Sequence, residues 1–226
     1  MADGKPDLSA PAPKTADGKP DLSGIWRSDP DENGVSYHLN VARDLAPDGV
    51  LPWADTLYKQ REQEQAKDAP WARCLPAGLP LVETAGVPYR IVQTPAMLVF
   101  LYEETPSAHR QIFMDGRELP KDPNPTWLGY SVGKWEQDTL VVDTIGINDK
   151  TWLDANGHPH SELLHVTERF RRVDFGHMEL RITLDDPKTF SKPFTVTKHP
   201  KLRADYEMLE YICNENERDA RHMVGR

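Results

Sequence analysis

Residues Glu162 to Arg172 read "ELLHVTERFRR". Successive side chains of a strand point to opposite faces, so Leu164, Val166, Glu168 and Phe170 fall on one side and His165, Thr167, Arg169 and Arg171 on the other. One set is apolar except for Glu168; the other is polar throughout. This period of two, with one dry face and one wet face, predicts a half-buried antiparallel strand.

Working outward, the same period governs the chain after Val87. It predicts strands near Tyr89 to Thr94, Met97 to Glu103, Arg110 to Met114, Thr126 to Lys134, Thr139 to Ile145, Leu163 to Arg172, Met178 to Leu184, Phe194 to Lys198 and Tyr206 to Ile212. Turn-forming stretches separate many of them, including "MDGRELPKDPNP" after Phe113, "EQD" after Trp135 and "DFGH" after Val173. Short strands in succession predict an all-β antiparallel meander, and closing it into a barrel removes the exposed sheet edges. A β-sandwich is the alternative. "LPWADTLYKQREQEQAK" from Leu51 predicts one external helix near residues 52–66, because Pro52 suits its first turn and good helix formers come after it. "DAPWARCLPAGLP" reads as a loop held by prolines.

The octamer "ADGKPDLS" occurs at Ala2 to Ser9 and again at Ala16 to Ser23, around "APAPKT". Such a mixture buries no core, so residues 1–22 are expected to be a disordered or extended tail and 23–226 a single domain. The net charge of −9 on 226 residues argues against a nucleic-acid partner and an anionic membrane surface, both of which need a basic face. No segment approaches the roughly 18 apolar residues of a spanning helix, so membrane insertion is not expected.

Cys74 and Cys213 are the two cysteines. In an oxidising compartment they would form a disulfide worth roughly 4 kcal/mol on chain-entropy grounds; in a cytosol they would be two thiols. The disulfide is the preferred reading, since Cys74 sits in the loop-like "RCLPAGLP" where a staple helps. No signal peptide is visible, and Met1 followed by a polar tail is what a chain trimmed of its signal would show.

Chemistry is expected at two places. Glu168 shares a face with apolar residues, and an inward carboxylate needs a partner or a raised pKa. It is either half of a buried ion pair with an arginine from a neighbouring strand or a general acid/base on a cavity wall. Above it, the connection Gly146 to Glu162 is too long for a tight hairpin, and long loops are often lids or binding loops. That connection holds Asn148, Asp149, Trp152, Asp154 and "NGHPHSE", with His158 and His160. One reading makes His158 or His160 a proton carrier whose ring Asp154 or Asp149 orients. A second makes both ligands of a metal, with Glu162, Asp154, His109 or Glu168 as a third, although His-Pro-His alone is not enough. A third makes the loop a solvated turn. Arg110, Arg117, Trp127 and Tyr130 form another polar and aromatic group, suited to oxygen-rich or planar ligands; Asp115 reads as a turn cap. The chain lacks a nucleophile elbow, a phosphate-binding loop and a dinucleotide fingerprint, so no usual cofactor is expected.

"SGIWRS", with Gly24 and Trp26, resembles the Gly-x-Trp of the first strand in lipocalin-like (calycin) barrels. The wider set "DGKPDLSGIW", "CLPAGLP", "DPNPTWLGYSVGKWE" and "NGHPHSE" resembles a group of secreted bacterial proteins of unassigned function. The resemblance covers most of the chain from Asp17 and implies export to the periplasm or beyond, but no reaction. Lipocalins set a basic residue over the tryptophan, and Arg203 is the expected candidate. The combined expectation is an exported acid–base lyase, hydratase or hydrolase acting on a small oxygen-rich or aromatic molecule. Its catalytic groups would be His158, His160, Asp154 and Glu168, and its substrate contacts Arg110, Arg117, Trp127, Tyr130, Asp149 and Trp152. The alternatives are a non-catalytic ligand binder and a metal-dependent enzyme.

Overall fold

The computed structural model describes residues 6–103, 109–213 and 215. Ten strands form one curled, barrel-like sheet in the order β10-β1-β2-β3-β4-β5-β6-β7-β8-β9. They are β1 (Gly24–Arg27), β2 (Tyr89–Gln93), β3 (Met97–Tyr102), β4 (His109–Phe113), β5 (Tyr130–Glu136), β6 (Thr139–Ile145), β7 (His165–Arg172), β8 (Met178–Asp185), β9 (Phe194–Lys198) and β10 (Lys201–Leu202). Two α-helices accompany the sheet, α1 (Pro52–Gln63) and α2 (Leu81–Thr84). The all-β, barrel-like expectation is met. At one rim the two ends of the sheet come together: Leu202 pairs with Trp26, while Leu202 N–H donates to the Gly176 carbonyl and Met178 N–H to that of Pro200.

Alternation sets the face of each strand. Leu98, Phe100 and Tyr102 of β3, Val166, Glu168 and Phe170 of β7, and Leu180, Ile182 and Leu184 of β8 all point into the core. The meander has one break, because β4 and β5 pair in parallel through Ile112–Ser131 and Phe113–Val132. Residues 114–129 therefore run back along the molecule before β5 starts, and Thr126 contributes only an isolated bridge to Ile147. The strand predicted from Thr126 begins at Tyr130 for this reason. Tyr206 to Ile212 is not a strand; sheet pairing ends at Leu202, and the segment beyond docks onto Glu103, whose carboxylate accepts from Tyr206 Oη at 2.7 Å and Leu209 N at 3.1 Å.

Helix α1 ends at Gln63, with Gln65 and Ala66 at positive φ. The short α2 was not legible, since a single turn has no periodicity, yet all four of its residues are buried. Residues 1–5 of the expected tail lie outside the described residues; the remainder is held against the domain rather than free. Phe175 and Gly176 N–H groups donate to the carbonyls of Ala10 and Leu8, and Leu22 is fully buried with its N–H on Gln93 Oε1. The basic residue above Trp26 is Arg172, 5.0 Å from the ring, rather than Arg203, which lies over Tyr206. Gly24 sits at φ +140°, and a Cβ there would come within 2.6 Å of Leu202, so glycine lets β10 close on β1.

Cys74 and Cys213 form a disulfide across 139 residues, with Cα atoms 5.7 Å apart. Unfolded, unreduced protein should accordingly show no titratable thiol, and two only after reduction. Two thiols before reduction would refute the bond.

Candidate functional site

The inward carboxylate of β7 meets a partner from beyond its neighbouring strands. Arg110, on β4, reaches along the inner face across β5 and β6 and engages Glu168 with a two-pronged fork. On the way its Nε donates to Ser131 Oγ at 3.0 Å and its Nη2 to Thr144 Oγ1 at 2.7 Å. The two hydroxyls also lie 2.9 Å from each other. Every one of these groups is buried. The arginine is thus held by its own protein, with its charge met by Glu168 and its shape met by two hydroxyls.

A second carboxyl completes the group. Glu83 of α2 places Oε1 3.6 Å from Arg110 Nη1 and accepts a hydrogen bond from Tyr102 Oη at 2.5 Å. Its Oε2 has no hydrogen-bond partner among the described residues, nor does the hydroxyl of the nearby buried Tyr89. Burial and the neighbouring Glu168 push the Glu83 carboxyl up to about 8, against the pull of Arg110. One guanidinium cannot neutralise two carboxylates in an apolar interior, so at neutral pH the second keeps its proton. Burial also raises the Tyr102 and Tyr89 hydroxyls well above the usual phenol range.

The buried group meets the surface at the parallel seam. Beyond the two β4–β5 pairs, His109 to Gln111 on one side and Thr126 to Tyr130 on the other border a cleft of about 510 Å³. Arg110 and Ser131 are among its lining residues, with Phe113, Trp127 and Tyr130. At the rim Arg117 stacks on Phe113 at 3.9 Å and donates to Tyr130 Oη at 3.1 Å. Asp115 accepts from the backbone and side chain of Arg117, as a turn-capping residue does. Four of the six expected substrate contacts, Arg110, Arg117, Trp127 and Tyr130, therefore gather around one opening. Alternation along the strand expected from Thr126 would put Trp127 and Tyr130 on opposite faces; both reach the cleft because residues 126–129 are not in a strand.

The long connection lies elsewhere and is tucked in. Asp154 is fully buried and gathers the backbone N–H groups of Val41, Gly157 and His158, together with His158 Nδ1 at 2.5 Å. The His158 ring stacks on Tyr58 of α1 at 3.7 Å. Gly157, at φ +107°, allows Arg61 to approach closely enough to donate to its carbonyl. His160 has both nitrogens engaged, with Nδ1 on the Ser161 carbonyl at 2.9 Å and Nε2 on Thr151 Oγ1 at 2.6 Å; burial lowers its pKa, which favours the neutral ring. Trp152 is buried beneath Arg61, whose guanidinium lies 4.4 Å from its ring, and Asp149 is exposed. The partners of His158 and His160 are thus Asp154, Tyr58, Thr151 and the Ser161 carbonyl, while Glu168 is taken by Arg110. Among the described residues, no three His, Cys, Asp or Glu side chains gather as a metal site would need.

Four members of the buried group were not among the expected residues: Glu83, Tyr102, Ser131 and Thr144. Three were legible in principle, because Tyr102 is in phase with Leu98 and Phe100, and Ser131 and Thr144 are in phase with their strands' inward positions. Glu83 carried no signal. Family models, curated proteins and solved structures were compared with the chain, and none matches.

Proposed function

We propose that the protein is an exported binder of a small, oxygen-rich or aromatic molecule, held in the cleft at the β4–β5 seam. The observation that carries this reading is the gathering of Trp127, Tyr130 and Phe113 around an opening floored by Arg110 and Ser131 and rimmed by Arg117. Aromatic side chains take the apolar faces of a sugar or ring, while Arg117, its fork on Asp115 and one further N–H on Tyr130, has N–H groups left to donate to its oxygens. The disulfide supports an oxidising compartment such as the periplasm. No helix among the described residues is long and apolar enough to cross a membrane.

An acid–base enzyme built on this cleft is the second reading, favoured by the proton that Glu83 keeps near neutrality within the network reaching the cleft floor. The substrate class is the same, and the reaction would be a lyase, hydratase or hydrolase step. The test is a thermal-shift panel of monosaccharides, hydroxybenzoates and sugar acids, with hits measured by calorimetry and assayed for turnover. Trp127→Ala should weaken a hit about three- to tenfold through lost ring contact, while His158→Ala leaves its binding unchanged. The seam cleft is the wrong site if Trp127→Ala has no effect; turnover without loss in Glu83→Gln would sink the catalytic version.

A further inference from the structure

The β4–β5 seam is short because the chain before β5 leans away from β4. Thr126 donates its N–H to the Gly146 carbonyl and accepts at its own carbonyl from Asn148 N–H. Gly129, at φ +70°, packs so closely that a Cβ would come within 2.7 Å of Thr144 and 2.9 Å of Ile147. Residues 126–129 thus follow the end of β6 and leave an edge of β4 behind. The ladder tells which backbone groups that edge presents. Met114 N–H donates to the Ala96 carbonyl, so every second residue from there, Ile112 and Arg110, pairs with β3 in the antiparallel register. Gln111 and His109 accordingly turn their backbone groups toward β5. The two rungs of the seam, Ile112–Ser131 and Phe113–Val132, take the Gln111 carbonyl and both groups of Phe113. Next along the edge come Gln111 N–H and the His109 carbonyl, and neither has a partner among the described residues. Both residues line the cleft of about 510 Å³.

We propose that the guest of this cleft is an extended secondary amide of the aroylglycine type, an aromatic acyl group joined to a glycyl amide. The inference rests on the seam cleft being the binding site, as proposed above, and adds the chemistry of what it holds. An extended residue carries its N–H and C=O on one side of the chain. One glycyl unit therefore donates to the His109 carbonyl and accepts from Gln111 N–H, the two bonds that Gly129 would make if β5 ran on beside β4. That unit stands opposite Arg110, which points into the core, so any side chain on it would be driven inward against a fully packed group. Glycine has none to place. The acyl ring, one position earlier, falls on the outer face. There Phe113 and Tyr130, which alternate with the buried Ile112 and Ser131, stand with ring centroids 5.2 Å apart, and Trp127 closes the cleft.

The test uses the full oxidised chain at pH 7 and three probes: N-benzoylglycine methylamide, its ester isostere benzoyloxyacetic acid methylamide, and N-benzoylvaline methylamide. Calorimetry should show the glycine amide bound about tenfold more tightly than the ester, whose oxygen leaves the His109 carbonyl unpaired. The valine amide should also bind at least about tenfold more weakly, since its side chain meets the core. Gln111→Pro deletes the cleft-facing N–H at a point where the ladder has no partner for it, and should weaken the glycine amide about tenfold. Gln111→Ala keeps that N–H and should leave binding unchanged, with circular dichroism and the unfolding midpoint reporting the fold of both variants. The ester comparison needs no variant and decides the matter if Gln111→Pro does not fold. Equal binding of amide and ester overturns the proposal, as does no binding of the amide at millimolar concentration. A sugar or hydroxybenzoate that binds and is weakened by Trp127→Ala, where the amide does not bind, overturns this guest and leaves the cleft standing. Amide binding untouched by both Gln111→Pro and Trp127→Ala overturns guest and cleft together.

Discussion

Arg110→Met is expected to cost the fold about 3–5 kcal/mol at pH 7, the largest effect of any single substitution proposed for this chain. Methionine matches much of the arginine's length, so little volume is lost. What is lost is the cation that faces two buried carboxyls. Glu168 gives up both prongs of its fork, and Glu83, 3.6 Å from the guanidinium, gives up the attraction that moderated its burial. Glu83 already holds its proton at pH 7, so the charge left bare is that of Glu168, which pays a large desolvation penalty unless a proton from solvent neutralises it. Proton uptake gives the expectation its direction: the deficit should narrow from pH 7 to pH 5, where protons are more abundant. Urea unfolding at both pH values measures this. Removing the second partner as well, in Arg110→Met/Glu168→Leu, should recover most of the loss, because an apolar replacement leaves no orphaned charge. A single variant within about 1 kcal/mol of the parent at pH 7 would show that the interior tolerates the bare carboxylate, and the electrostatic account would fail.

The same pairing explains why the buried group was only partly legible. Alternation in "ELLHVTERFRR" predicts Glu168 inward, and it does point inward, since a strand's face is fixed locally by its pleat. Its partner is not fixed locally. β4 is three strands away in the sheet, and only the long reach of arginine across two intervening hydroxyls joins them. The sequence offers ion pairing with a neighbouring strand and acid–base chemistry as alternatives; the structure shows an ion pair from a more distant strand and assigns no reaction. The histidines illustrate the opposite case. Clustering in "NGHPHSE" and the length of the connection suggest an open polar loop, but neither feature encodes burial. Asp154 gathers the backbone and the His158 ring, and Tyr58 covers that ring, so the polarity is consumed internally. The seam cleft depends on the parallel β4–β5 pairing, which alternation cannot reveal, because a period of two is the same in either direction.

Glu83→Gln is expected to change the shape of the stability–pH curve rather than its height alone. In the unfolded chain this carboxyl ionises near its ordinary 4.5; in the fold it holds its proton until about 8. Between those values the folded protein carries one proton more than the unfolded chain, so stability falls as pH rises, by up to about 1.4 kcal/mol per unit. The contribution is fully present below the unfolded value and is lost as pH passes through the folded one. Glutamine cannot ionise, keeps an oxygen to accept from Tyr102 Oη, and sets an amide where Oε2 now lacks a partner. The imidazoles His38 and His160, whose pKa values burial lowers, act in the other direction and gain stability as pH rises toward neutrality. They are common to both proteins, so the difference between parent and variant isolates Glu83. Denaturant midpoints from pH 5 to pH 9 should show the variant close to the parent at the acid end and more stable by a few kcal/mol at the alkaline end. Parallel curves would mean that Glu83 ionises at its ordinary value inside the fold, and the account of its burial beside Glu168 would fail.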